Sequence, residues 1–181
     1  MDRFLEAYIG SPYAGSSRVG GGLPFLGFVS LTGGARHERI GITAAGLEFA
    51  RSTNPALDER EPTFPPFRLE EVGQIIAAIH ARTPDEYAHM RHYIETVAAV
   101  ENPSRDAVTA RMRSFYIRYW NPFELTSGMI ESLRATVHSR CQELGLVRTR
   151  REGRSSTYAV TSIGSHWLAT GTLELEGGGS A

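Results

Sequence analysis

The chain repeats itself. Leu26-Gly27-Phe28-Val29 returns as Leu144-Gly145-Leu146-Val147, an offset of 118 residues. Without a gap, the same offset lays Ile42-Thr43-x-x-Gly46-x-x-Phe49 on Val160-Thr161-x-x-Gly164-x-x-Trp167. Self-similarity at one offset marks a repeated structural unit. Each copy has a physical reading. A helix stops at Gly27 or Gly145, where glycine tolerates the positive φ of a C-cap. A short strand follows, then a polar turn (TGGARHE or RREGRSS) and a second strand (RIGI or TYAV). Thr43 or Thr161 then caps a helix, its hydroxyl accepting from backbone N–H groups that the first turn leaves unpaired. The common plan is helix, hairpin, helix.

The copies are not equal in length. Carried back by the offset, the first has too few residues ahead of Ser11 for two further helices. Its third helix would fall in YAGSSRVGGGLPFLG, where three glycines and Pro24 are each costly. This marks a degenerate or truncated unit, its core completed by the helix over 68–82 or by a partner chain. The stretch STNPALDEREPTFPPF, with four prolines, reads as a linker. Periodicity then predicts helices over Arg68–Arg82, with Val72, Ile75, Ile76 and Ile79 on one face, and from Pro84, with Tyr87, Met90, Ile94 and Val97 or Ala98 inward. Asn102-Pro103-Ser104 breaks the run. Arg105 to about Arg118 forms the next helix on Val108, Met112 and Phe115, and Ser127–Leu144 forms another on Ile130, Leu133, Val137, Cys141 and Leu144. Tyr116, Tyr119, Trp120 and Phe123 crowd the turn between these two and read as a core corner.

Composition excludes several classes. No apolar run approaches the 18 to 20 or so residues of a membrane span, and the first residues do not form a signal peptide, so a cytoplasmic protein is expected. A single cysteine, Cys141, forms no internal disulfide and no metal motif. His89 and His92 lie one helical turn apart and His80 lies nearby, but no third ligand has supporting spacing, so these read as structural or surface residues. VGGGLPFLG lacks the Lys-Ser/Thr pair of a phosphate loop. The carboxylates are scattered, so neither catalysis nor a cofactor is expected.

The net charge of −1 hides an asymmetry. Residues 48–101 hold ten Asp and Glu against five Arg, whereas residues 111–158 hold nine Arg against four Glu. The late basic charge gathers in one turn, at Arg148, Arg150, Arg151 and Arg154.

The order of elements from Pro84 to Leu168, with ELGLVRTRREGRSSTYAVTSIGSHWL at its end, resembles the winged helix-turn-helix domain of MarR- and PadR-like transcriptional regulators. The resemblance covers about 85 residues. It implies a mainly α fold with small β-hairpins (α+β), a tandem winged helix-turn-helix joined by a helical connector. The divisions are residues 1–53 (degenerate unit), 54–83 (acidic linker and connector helix), 84–170 (winged helix-turn-helix domain) and 171–181 (flexible tail). In this fold the third helix enters the major groove and the wing reaches the neighbouring backbone. The expected partner is double-stranded DNA, held by Ser127, Ser132, Arg134, His138, Arg140, Arg148, Arg150, Arg151 and Arg154, with Arg36, His37 and Arg39 in a second wing. A homodimer or partner protein is also expected, with the isoleucine-rich helix over 68–82 as its surface or as an inter-domain contact. Gly128, Ser132, Ala135 and Ser139 on the third helix are too short for the strongest base contacts, so weak or shape-based specificity follows. The alternative is a winged-helix module that contacts protein, or a subunit of a larger DNA-processing assembly.

Overall fold

The computed structural model describes residues 22–32, 39–52, 67–119, 125–152 and 155–173. The elements are α1 (Gly22–Phe25), β1 (Val29–Thr32), β2 (Arg39–Ile42), α2 (Ala44–Arg51), α3 (Leu69–Arg82), α4 (Pro84–Ala99), α5 (Arg105–Tyr119), α6 (Ser127–Glu143), β3 (Val147–Glu152), β4 (Ser155–Val160) and α7 (Ser162–Thr170). Among the described residues the fold is thus mainly helical with two antiparallel hairpins, β1–β2 and β3–β4.

The 118-residue offset holds bond by bond. α6 ends in a Schellman turn, with Leu146 N–H donating to Cys141 C=O (2.8 Å) and Gly145 N–H to Gln142 C=O (2.9 Å). α1 ends identically, with Phe28 N–H to Leu23 C=O (2.9 Å) and Gly27 N–H to Pro24 C=O (3.0 Å). Gly27 and Gly145 take φ of 75° and 68°, as their place past a helix end demands. The hairpins share a register, Val29 opposite Ile42 and Val147 opposite Val160. Thr43 Oγ1 donates to Gly27 C=O (2.7 Å) and accepts from Gly46 N–H (3.0 Å). Thr161 does the same with Gly145 (2.6 Å) and Gly164 (3.1 Å). Each threonine therefore ties the end of one helix to the start of the next across the hairpin.

Glycine is required at Gly46 and Gly164. A Cβ there would overlap the carbonyl oxygen of Phe28 or Leu146, so the last helix of each unit could not lie against its first strand. The contact is completed by Phe28 stacked on Phe49, centroids 4.5 Å apart. In the second unit Leu146 and Trp167, both buried, occupy the same places.

The core is one cluster running from Phe28 through α3, α4, α5 and α6 to Trp167 and Leu173. Val72, Ile75, Ile76 and Ile79 are buried within the chain, so this stripe is spent on internal packing and does not offer a dimer surface. α3 also braces the first unit: Arg82 Nε donates to Phe25 C=O (3.1 Å) and Gln74 Nε2 to Ser52 Oγ (3.2 Å). Of the α4 stripe, Met90, Ile94 and Val97 are buried, Tyr87 is half-buried and Ala98 is exposed; Tyr93, at 0% exposure, joins them. Phe115 and Tyr116 are buried at the end of α5, and the expected corner residues Trp120 and Phe123 lie outside the described residues.

The described residues run to Leu173, past the expected start of the tail at Gly171. Tyr87 donates its hydroxyl proton to Gly171 C=O (2.9 Å) and Arg91 Nη2 donates to Leu168 C=O (3.1 Å). Leu173 is buried and lies over Gly73 of α3.

Candidate nucleic-acid interface

The second hairpin is built as a rigid post. Besides β3, the strand β4 has a second neighbour: Tyr158 N–H donates to Pro103 C=O (2.9 Å), and Ser104 bridges Thr157. Strand side chains alternate in direction, which divides β3 into two rows. Val147, Thr149 and Arg151 share one, and Thr149 turns to α6, its hydroxyl donating to Gln142 Oε1 (2.9 Å). Arg148 and Arg150 share the other. Arg148, Arg150 and Arg151 are all exposed, with no carboxylate in salt-bridge range among the described residues. Arg154 lies outside the described residues, as do Arg36 and His37 of the first hairpin; Arg39 is described and exposed.

On α6 several expected contacts are used internally. Arg134 is 4% exposed, and its Nη1 donates to the Tyr158 hydroxyl at 3.0 Å. Its guanidinium carbon is 5.9 Å from the Tyr158 ring centre, within cation–π range. Arg134 therefore fastens the wing from inside and does not reach a phosphate. Viewed on one helix it lies at the margin of the apolar stripe, but β4 folds over that margin. Arg140 is paired with Glu86 of α4, which spends its charge within the chain.

His138 is likewise engaged. Its Nδ1 lies 2.7 Å from the Tyr93 hydroxyl and its Nε2 3.2 Å from Thr149 Oγ1, while its ring packs on Tyr158 with centroids 4.2 Å apart. Burial, reinforced by the Arg134 charge and opposed by the Gln142 hydrogen bond, lowers its pKa below the ordinary histidine value. A neutral imidazole tied at both nitrogens orients the wing and does not serve as an exposed DNA contact.

What α6 leaves outward is small and weakly acidic: Gly128, Ser132, Ala135 and Ser139 are exposed, with Glu131 and Glu143 among them. Glu131 is paired with Arg105 (2.9 Å) and Glu143 accepts from Ser139 Oγ (3.1 Å). Ser127, in the first turn after the N-cap Thr126, lines a cleft of about 250 Å³ between α5 and α6 with Arg113 and Asp106. Arg113 is an exposed cation beside the start of α6 that helical periodicity alone does not single out.

Three other histidines, His80, His89 and His92, pack on aromatic rings. His89 lies 2.8 Å from the Tyr116 hydroxyl, His92 stacks on Phe115 at 4.4 Å and His80 packs on Tyr87 at 4.3 Å. Among the described residues no three His, Cys, Asp or Glu side chains converge as metal ligands, and no helix is long and apolar enough to cross a membrane. Cys141 is fully buried, which raises its thiol pKa and keeps it protonated.

Comparison with protein-family models, with curated proteins and with solved structures finds no match to this chain.

Proposed function

We propose that this protein is a non-enzymatic DNA-binding protein of tandem winged-helix plan, a transcriptional regulator in kind. In this reading it grips duplex DNA chiefly through the β3–β4 wing. The observation that carries the reading is the exposure of Arg148, Arg150 and Arg151, free of carboxylates among the described residues, on a hairpin braced by Arg134, His138 and Pro103. Cations on a fixed support neutralise phosphates and release condensed counterions. The small outward face of α6 permits close approach to a groove and supplies little base readout. Arg113 and Ser127 add a backbone contact at the start of α6. The protein therefore binds with shallow sequence preference.

A duplex-binding titration across a salt series tests this. The affinity should fall with a log–log slope of about −3 if the three described wing arginines each displace one counterion, and more steeply with Arg154 and Arg113 included. Salt-insensitive or absent binding sinks the reading. In that event the second reading takes over, a module whose α6 face meets protein, which the paired Glu131 and the exposed Met129 favour.

A further inference from the structure

We propose that the outer edge of β2 is a dimer interface, on which β2 of a second copy pairs antiparallel across a two-fold axis. The inference is independent of DNA binding.

In the second unit the chain covers itself. Tyr158 turns its N–H away from β3 to Pro103, Ser104 bridges Thr157, and the Tyr158 side chain is 7% exposed. Ile40 is the counterpart of Tyr158, and the pair Leu31–Ile40 has the register of Thr149–Tyr158. The Ile40 backbone groups therefore also face away from their own hairpin. Among the described residues, nothing bonds to them there. Ile40 is 55% exposed and Ile42, whose counterpart Val160 packs on the core, is 58% exposed.

Elsewhere in the unit the substitutions run the same way. Phe25 (47% exposed) stands where the second unit has Glu143, and Leu47 (43%) where it has Ser165. Positions that are polar and outward in one copy are apolar and outward in the other. An open strand edge carrying exposed β-branched residues invites another strand unless something covers it.

A second copy meets the requirement with the residues already present. When Ile40 lies opposite Ile40 of the second copy, the two exchange both N–H···O=C bonds, as an antiparallel pair whose groups face each other does. Ile42 flanks the pair on the same face, because alternate residues share a side. Arg39 then lies opposite Gly41 of the second copy, so no like charges meet directly. One edge used twice is what a two-fold interface needs. The product is a continuous four-stranded antiparallel sheet of β1 and β2 from both copies.

Sedimentation of the full chain over a concentration series tests the proposal, together with amide exchange at Ile40. A monomer–dimer equilibrium is expected, with Ile40 protection rising with concentration. Ile40→Arg and Ile42→Arg should each weaken the dimer roughly tenfold or more with helical content unchanged, since both side chains are exposed in the monomer. Ala98→Arg, on the exposed side of α4, should leave the equilibrium unaltered. A chain monomeric at every concentration, or a dimer indifferent to both isoleucine substitutions, overturns the proposal. So does concentration-independent protection of Ile40, which would place residues of the same chain on the edge.

Discussion

The two hairpin units are the same frame with opposite surfaces. In both, a Schellman glycine ends a helix, a threonine bonds back to that glycine's carbonyl, and a second glycine admits the next helix against the strand. What differs is what points outward. Arg148 and Arg150 in the second unit correspond to Ser30 and Thr32 in the first, while Glu143 and Ser165 correspond to Phe25 and Leu47. Charge has been placed on one copy and apolar surface on the other, at positions the shared bonds do not use. The frame is a matter of backbone geometry, and the chemistry is a separate choice laid over it.

The largest effects are expected at the paired glycines. Gly164→Ala drives a methyl into the Leu146 carbonyl and should destabilise the chain by about 3 kcal/mol or more, measured by chemical denaturation. Gly46→Ala meets the same obstacle at Phe28 and should release the first unit, seen as lost amide protection at Thr43, while the second unit stays protected. Ordinary stability for both variants would mean that the shared frame is not steric.

Next in size is the exchange of surface chemistry. Replacing Arg148, Arg150 and Arg151 together with Ala should cost on the order of a hundredfold in duplex affinity at about 0.1 M salt and flatten the salt slope by about 3. The converse, Ser30→Arg with Thr32→Arg, should increase affinity if an equivalent frame presents the charges equally well. No gain would show that the two hairpins differ in more than charge.

Thr43→Ala and Thr161→Ala remove the same cap and the same cross-hairpin bond. Each should cost about 1 to 2 kcal/mol, and the two costs should agree. A large inequality in thermal or denaturant melts would show that the second unit's extra neighbours share the role of Thr161.

The smallest expected effect is of pH. His138 has Gly20 as its counterpart, so it titrates in one unit only. Burial holds its folded pKa below the ordinary 6.5, so the folded state prefers the neutral ring. Stability is full above about 6.5, where both states are neutral, and declines as the pH falls from there through the depressed folded value. The half-buried His89 and His92 act in the same direction. His138→Asn should therefore reduce, and not abolish, the loss of stability between neutral and mildly acid pH, as followed by denaturation at each pH.

Much of the frame is legible in the bare chain because it is local. A glycine after an apolar helical stripe, a threonine before one, and strands at matching distance from both act within a few residues of themselves. The roles of Arg134, Tyr93, Pro103 and Leu173 are not legible in this way. Arg134 looks like an outward cation on its own helix, and only the return of Tyr158, 24 residues on, encloses it. Pro103 looks like a simple helix breaker, yet its carbonyl closes the edge of a strand 55 residues away. Leu173 follows a helix-ending glycine and reads as the start of a tail until α3, 100 residues earlier, is seen to lie beneath it. Each depends on which surfaces meet, and helical periodicity describes one helix at a time.

The gapless register of the two hairpins has a consequence for how such a protein changes over time. Val29 to Ile42 and Val147 to Val160 span the same number of residues between the same two anchors. The intervening segment can therefore be exchanged between the copies, or replaced outright, without lengthening the chain or moving either anchor. Selection can tune the charge of one hairpin while the other keeps its role, so a duplicated unit can acquire a second job without losing its first.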